Sequence, residues 1–357
     1  MRSDVDAVVL VGGRGTRLRP LTLSAAKPML PTAGVPFLQH LLSRIRAAGI
    51  GHVVLGTSYR AETFTEYFGD GSDFGLEIDY VVEDTPLGTG GAIRNVAGSL
   101  RADTVVVFNG DILSGLDLSE VLDSHQERSA DVSLHLVKVP DARAFGSVPT
   151  GPDGRVQAFL EKSETPPTDQ INAGCYVFRR SVLETIPAGR VVSVERETFP
   201  GLLAAGARVF GHVDSSYWLD LGTPAAFVRG SADLVTGIAP TGALPGPPGS
   251  AIVLPGTHLA PGSAVVGGST LGRGVRVAGD AVVDGSVVFD GADIGAVARI
   301  TRSVIGAGAR IGAGTVVCDA VIGDNADIGA DNELTSGIRV WPDVRIPAGS
   351  VRFSADS

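Results

Sequence analysis

Apolar positions change their period once along the chain. Val5 to Val11 is an apolar run, broken only by Asp6, that ends at Gly12-Gly13, the pattern of a strand buried on both faces. Pro36 to Gly49 predicts a helix: the proline sits in the first turn, Phe37, Leu38, Leu41, Leu42 and Ile45 form one stripe, and Gly49 ends it. Further strands are expected at His52 to Thr57, Leu76 to Val82 and Thr104 to Asn109, with helical patterns between them. Strands alternating with helices imply a mostly parallel sheet. Ligands of such sheets bind outside the carboxyl ends of the strands, where Gly12 and Asp111 would lie.

The later part keeps a different beat. Aliphatic residues recur at Leu271, Val277, Val283, Val288, Ile294, Ile300, Ile305, Ile311, Val317, Ile322, Ile328, Leu334, Val340 and Ile346, always five or six residues apart. A β-sandwich of alternating strands would not hold that interval for so long, so the segment reads as a hexapeptide parallel β-helix. Each coil would turn its aliphatics inward and leave small residues at the corners. This half resembles the left-handed β-helix of hexapeptide-repeat proteins. Glycine content shifts with the period: positions 1–240 hold 27 of the 48 glycines and 241–357 the other 21. Between them, Ala239 to Gly249 is rich in proline and glycine and reads as a linker. The expected division is a first domain at 1–240, a linker at 241–250 and the β-helix at 251–357.

Charge and composition narrow the function. The 357 residues carry 39 acidic and 29 basic side chains, a net charge of -10, which argues against a nucleic-acid coat but leaves room for a nucleotide whose phosphates are neutralised locally. No run approaches the roughly 18 apolar residues of a membrane span, and the start of the chain lacks an apolar signal core. Two cysteines, Cys175 and Cys318, exclude a disulfide framework and a cysteine-rich zinc site, and point to a reducing cytoplasm. Only three lysines occur among the 29 basic residues: Lys27, Lys138 and Lys162. In so arginine-rich a chain, a retained lysine suggests a site that needs a compact ammonium instead of a planar fork.

The chemistry concentrates behind the first strand. Gly12-Gly13-Arg14-Gly15-Thr16-Arg17-Leu18-Arg19-Pro20 leads on to Lys27-Pro28-Met29. A loop of this kind lets backbone N–H groups approach a polyphosphate while Arg17 and Lys27 add positive charge. It lacks the closing Gly-Lys-Ser/Thr of a P-loop and the third glycine of the dinucleotide fingerprint.

The loop resembles the signature of the sugar-1-phosphate nucleotidyltransferases, and further strings follow in that family's order. They are Glu83-Asp84-Thr85-Pro86-Leu87-Gly88-Thr89-Gly90-Gly91, Phe108-Asn109-Gly110-Asp111, Glu161-Lys162, Asn172-Ala173-Gly174 and Trp218-Leu219-Asp220-Leu221-Gly222, so the likeness spans residues 5–236. It implies an α/β Rossmann-like mixed sheet as the catalytic domain, with the C-terminal β-helix carried by some members. The implied reaction is attack of a sugar-1-phosphate oxygen on the α-phosphorus of a nucleoside triphosphate. Two anions must meet there, so positioning and charge neutralisation should outweigh acid-base work.

The resemblance also assigns roles. Leu10, Gly12, Gly13, Gly15, Thr16, Arg17, Glu83, Gly88, Thr89, Asn109 and Gly110 would bind the nucleotide, with Lys27 near its phosphates. Asp111 and Asp220 would hold Mg2+ through hard oxygen donors. Lys162 would bind the sugar phosphate, and Glu161, Asn172 and Gly174 the sugar. Arg17, Lys27, Lys162, Asp111 and Asp220 form the expected catalytic set. One departure is Ser163, where the family commonly has proline. Read by themselves, Asp111 could be a helix cap and Glu161-Lys162 a solvated pair.

Glu83 speaks to the base. Guanine presents two adjacent donors, N1–H and the N2 amino group, which one carboxylate can accept together. Uracil, thymine and adenine each place an acceptor where that carboxylate would meet repulsion. GTP is therefore favoured, and the Glu-Asp-Thr-Pro-Leu-Gly-Thr string with the β-helix resembles the guanylyltransferases acting on mannose 1-phosphate. Heptose 1-phosphate and glucose 1-phosphate enzymes, which use GTP, dTTP, UTP or ATP, share many of these strings, and a non-catalytic regulatory subunit would keep the fold. A hexapeptide acyltransferase would need a histidine in the β-helix, where only His258 follows residue 212. A homo-oligomer is expected, with the β-helix serving assembly or regulation. Trp341, Cys175, Cys318, His40, His52, His125 and His135 read as packing residues.

Overall fold

The computed structural model describes residues 2–58, 60–160 and 162–352. By internal contacts the chain forms two compact units. One runs up to Gly13 and again from Leu41 to Trp218; the other comprises Arg14–His40 and the chain from Leu219 onward.

The first unit is built on a seven-stranded mixed sheet in the order Val209–Asp214, Val132–Lys138, Gln170–Arg179, Thr104–Asn109, Arg2–Leu10, Ile50–Thr57 and Glu77–Val82. Gln170–Arg179 runs antiparallel to both neighbours, and the other pairings are parallel. Val5, Ala7, Val8 and Val9 fill an interior strand because both faces of a parallel sheet are covered, and the buried Asp6 among them is held by His52 and by the N–H groups of Arg101 and Ala102; Val8, Val54, Val105, Val107, Tyr176, Phe178 and Phe199 share one buried cluster. The expected strands at His52, Leu76 and Thr104 occur at Ile50–Thr57, Glu77–Val82 and Thr104–Asn109.

The predicted helix begins one residue late, at Phe37, and ends at Ala47. Pro36 is instead in a two-residue strand paired with Pro31. With no N–H of its own, proline closes that extended pair and starts the helix behind it.

At the carboxyl edge of the sheet, Leu10 and Asn109 are register partners, so the segments that follow leave the sheet side by side. The Gly110 N–H donates to the Leu10 carbonyl at 3.0 Å. A Cβ on Gly110 would lie 2.6 Å from that oxygen, a contact no side chain tolerates.

The second unit contains a three-sided parallel β-helix. Each strand pairs with the strand three places on, giving sheets of six, six and five strands. One coil takes 17 or 18 residues, as in Thr270 opposite Val287 and Val321 opposite Arg339. Thirteen of the fourteen aliphatics picked out by the six-residue beat lie in one buried core, and Ile346 packs against it. A ladder of serines supports one corner: Ser269, Ser286 and Ser303 each accept the backbone N–H of the residue one coil on. Trp341 is 46% exposed, so it is no packing residue. His258 lies in an exposed two-residue strand, without the enclosure an acyl-transfer base needs. Among the described residues no helix is long and apolar enough to cross a membrane.

Candidate active site

In the first unit the site is built on the carboxyl ends of three strands. Leu10 closes its strand, and the Gly12 carbonyl then accepts the Ser58 hydroxyl at 2.6 Å. Glu83 leaves the neighbouring strand with its N–H on the Thr57 carbonyl, 2.8 Å. Its carboxylate lies beside Gly12, with Oε2 3.8 Å from where a Cβ on Gly12 would be. Oε2 accepts only a long bond, 3.5 Å, from the Leu87 N–H. Oε1 is buried and accepts nothing. Burial pushes the Glu83 carboxyl above its ordinary value, a rise only partly opposed by Leu87. A desolvated carboxylate oxygen without a donor is a ready acceptor for one.

Gly88 and Thr89 open the helix Gly88–Val96, which is anchored by the Gly90 N–H on the Val192 carbonyl at 2.8 Å. Thr89 turns its hydroxyl to Glu195 Oε2 at 2.9 Å and accepts the Val194 N–H at 2.9 Å. Asp111 is half-buried in the short turn between Thr104–Asn109 and Ile112–Ser114. No helix begins there; the cap of the next helix is Asp117, which accepts the Ser119 N–H. The cap reading of Asp111 thus falls away.

Asn109, Asn172 and Gly174 come together. Gly174 has φ +78°, and a Cβ on it would lie 2.9 Å from Asn109 Nδ2. Asn172 accepts the Gly174 N–H and donates to the Tyr176 hydroxyl at 2.8 Å. Tyr176 in turn reaches Glu195 Oε1 at 3.5 Å, and burial raises its phenol well above the usual range. Tyr176 and Glu195 thus tie Asn172 to Thr89. Sequence reasoning passed over both, together with Ser58, because each lies outside the family's glycine- and charge-marked strings. Lys162 is exposed on a loop. Glu161 lies outside the described residues, and Gly13 is exposed after Gly12.

In the second unit, Gly15 to Met29 winds through three short turns, Thr16–Leu18, Leu21–Leu23 and Lys27–Met29. The Gly15 carbonyl accepts the Leu18 N–H and the Thr22 hydroxyl, both at 2.9 Å. Leu18, Leu21 and Leu30 are buried against Phe227, Val228 and the β-helix residues Val287, Phe289, Val304 and Val321. With its leucines turned inward, the loop presents Thr16 and Arg17 to solvent.

Lys27 and Arg17 flank Asp220. The Lys27 ammonium is 4.0 Å from Asp220 Oδ1. A Cβ on Gly222 would stand 2.6 Å from Arg17 Nη2 and 2.9 Å from Asp220 Oδ1, so guanidinium and carboxylate crowd the same glycine. Asp220 Oδ1 is buried and accepts no hydrogen bond. Among the described residues no three His, Cys, Asp or Glu side chains cluster as a protein-only metal cage.

A mixed sheet with a glycine-rich, cation-bearing loop and a parallel β-helix defines a class, and the comparisons agree: the chain belongs to the nucleotidyl transferase family, whose model matches residues 6–237. Residues 248–350 match the GMPPB C-terminal domain. The chain is 62% identical over 353 residues to mannose-1-phosphate guanylyltransferase of Mycobacterium tuberculosis, covering 99% of this chain and 98% of that one. It is 33% identical over 230 residues to D-glycero-alpha-D-manno-heptose 1-phosphate guanylyltransferase of Aneurinibacillus thermoaerophilus, covering 64% of this chain and 98% of that one. Among solved structures, HddC from Yersinia pseudotuberculosis complexed with GMP-PN superposes with a TM-score of 0.57 at 29% identity, over 64% of this chain and 99% of that one.

Proposed function

We propose that this chain transfers a guanylyl group from GTP to mannose 1-phosphate, giving GDP-mannose and pyrophosphate. The observation that carries the reading is Glu83: a buried carboxylate oxygen without a donor, beside the glycine loop, suits the paired N1–H and N2 donors of guanine. The near full-length likeness to a mannose-1-phosphate guanylyltransferase supports the sugar.

In this reading the amides from Gly12 to Thr16 and the side chains of Arg17 and Lys27 hold the triphosphate. Gly88, Asn109 and Gly110 shape the nucleoside pocket behind Leu10. Lys162 orients the sugar phosphate for in-line attack on the α-phosphorus, and Glu161, Asn172 and Gly174 hold the sugar hydroxyls. Asp111 and Asp220 are hard oxygen donors, and the unpartnered Asp220 Oδ1 fits a magnesium ligand. Mg2+, when bound, supplies charge neutralisation, and with only two protein carboxylates its remaining ligands would be phosphates and water. The protein's own task is to hold two mutually repelling anions in line, which is where phosphoryl-transfer enzymes gain most.

A homo-oligomer in the cytoplasm belongs to the same reading. The exposed Trp341 and Val344 offer apolar assembly surface, and both cysteines are free. Sedimentation velocity of the purified chain tests assembly; a monomer at micromolar concentration would refute it.

The test of function is pyrophosphate release with Mg2+ across GTP, ATP, UTP and dTTP, each against mannose, glucose and heptose 1-phosphates. GTP with mannose 1-phosphate should turn over fastest. Preference for UTP or dTTP would remove the Glu83 argument. Preference for heptose 1-phosphate would favour the second reading, which the 33% likeness to a heptose enzyme supports. An inactive chain that activates a partner would make it a regulatory subunit.

A further inference from the structure

One outward column of the β-helix is charged throughout. Arg276, Asp293, Arg310, Asp327 and Arg345 follow one another in register up one side. Another column contrasts with it: Thr270, Val287, Val304, Val321 and Arg339 are successive register partners. Its three valines are buried under Leu18, Leu21 and Leu30 of the glycine-rich loop. The column ends in Arg339, whose Nη1 donates to the carbonyls of Arg17 and Arg19 at 2.8 and 2.9 Å. The Ser24 hydroxyl also donates to Asp324 Oδ2 at 2.6 Å, and Asp324 Oδ1 accepts the Ala307 N–H one coil back.

We propose that Arg339 is a positioning residue for guanylyl transfer, clamping the backbone on both sides of Leu18 so that the Arg17 side chain is held toward the triphosphate. The inference rests on Arg17 being a triphosphate ligand. One guanidinium nitrogen on two carbonyls fixes the peptide planes around Leu18 as a single hydrophobic contact cannot, because hydrogen bonds to carbonyl oxygens are directional. Arg339 and Arg17 are both exposed, so without Arg339 the two carbonyls would be hydrated instead of orphaned. Its loss should therefore loosen the loop without unfolding it. The β-helix then acts as part of the catalytic scaffold.

The test compares Arg339→Ala, Arg339→Lys and the control Arg310→Ala, whose side chain lies on the charged column. In the full-length enzyme, Arg339→Ala should lower kcat/KM for GTP about tenfold, as expected for two exposed hydrogen bonds, leaving KM for mannose 1-phosphate within twofold. Hydrogen exchange across residues 16–23 should quicken, with an unchanged thermal midpoint. The lysine variant should recover most of the loss, and Arg310→Ala should match the parent. Kinetics and exchange equal to those of Arg310→Ala would overturn the proposal. So would an equal loss toward both substrates with a lowered thermal midpoint, the mark of a merely structural residue. If the parent enzyme transfers no guanylyl group, the proposed function fails, while exchange across residues 16–23 still decides the clamp.

Discussion

Lys27 Nζ stands 4.0 Å from Asp220 Oδ1, a buried carboxylate oxygen that accepts no hydrogen bond. The distance is too long for a hydrogen bond and short enough for strong attraction in a partly desolvated site. Replacing Asp220 by Asn keeps the side-chain shape but removes the negative charge that faces Lys27 and Arg17. Asp220→Asn should lower kcat by about 10²- to 10³-fold and raise the magnesium concentration needed for half-maximal rate, while the thermal midpoint falls modestly because Lys27 and Arg17 lose their counter-charge. A magnesium titration with parallel thermal unfolding checks this; an unaltered magnesium requirement would detach Asp220 from the metal.

Glu83 sets up a test of base selection. Glu83→Gln turns one acceptor oxygen into a donor that faces the guanine donors and suits a uracil carbonyl. Discrimination for GTP over UTP should fall by roughly 5- to 150-fold, the value of about 1–3 kcal/mol for a bidentate contact. Because the buried Oε1 has no protein partner to lose, stability should not fall. Competition assays with mixed nucleotides measure the ratio, and an unmoved ratio contradicts the assignment.

Lys162 is exposed, so its replacement should not disturb folding. Lys162→Arg keeps the charge but changes a compact ammonium into a fork. We expect KM for mannose 1-phosphate to rise about tenfold or more, with KM for GTP nearly unchanged and thermal unfolding superimposable on the parent. Near-normal kinetics would show that any cation suffices there.

Acid sensitivity should be traceable to His40. Its Nε2 donates to the Thr32 carbonyl at 2.9 Å, and Nδ1 therefore accepts the Thr241 hydroxyl at 2.8 Å. Burial pushes its pKa down to about 4, so the unfolded chain binds the proton more readily. Stability is then fully present above about pH 6.5 and is lost as pH falls toward 4, by up to about 3 kcal/mol. His52 carries the opposite sign: its bond to Asp6 raises it, a contribution present below about pH 6.5 and lost as pH rises past the folded value. His40→Gln, which can both donate and accept, should reduce the fall in thermal midpoint between pH 7.5 and 4.5. An undiminished fall would place the acid-sensitive group elsewhere.

How much was legible depended on whether the signal was periodic. Every one of the fourteen aliphatics on the five- or six-residue beat lies in or packs on the β-helix core, since identical coils must present the same position to one axis. The apolar run at Val5 and the helix stripe at Phe37 to Ile45 were equally plain. A finer signal went unread: Val287-Val288, Val304-Ile305 and Val321-Ile322 are apolar doublets, whereas Arg276-Val277, Asp293-Ile294 and Arg310-Ile311 pair one aliphatic with a charge. In these three doublets both sides of the strand are covered, the outer valine by the leucines of the glycine-rich loop.

From the order of residues alone came a mostly parallel sheet, the β-helix, the family's strings, through which the mixed sheet was implied, and the case for guanine at Glu83, because local periods and short motifs survive in one dimension. Only the folded chain decided that Glu83 Oε1 and Asp220 Oδ1 are left without donors, that Tyr176 and Glu195 link Asn172 to Thr89, and that Arg339 grips carbonyls more than 300 residues away. Those facts depend on which atoms burial strips of water and on which surfaces meet, and neither is encoded in the spacing of residues along the chain.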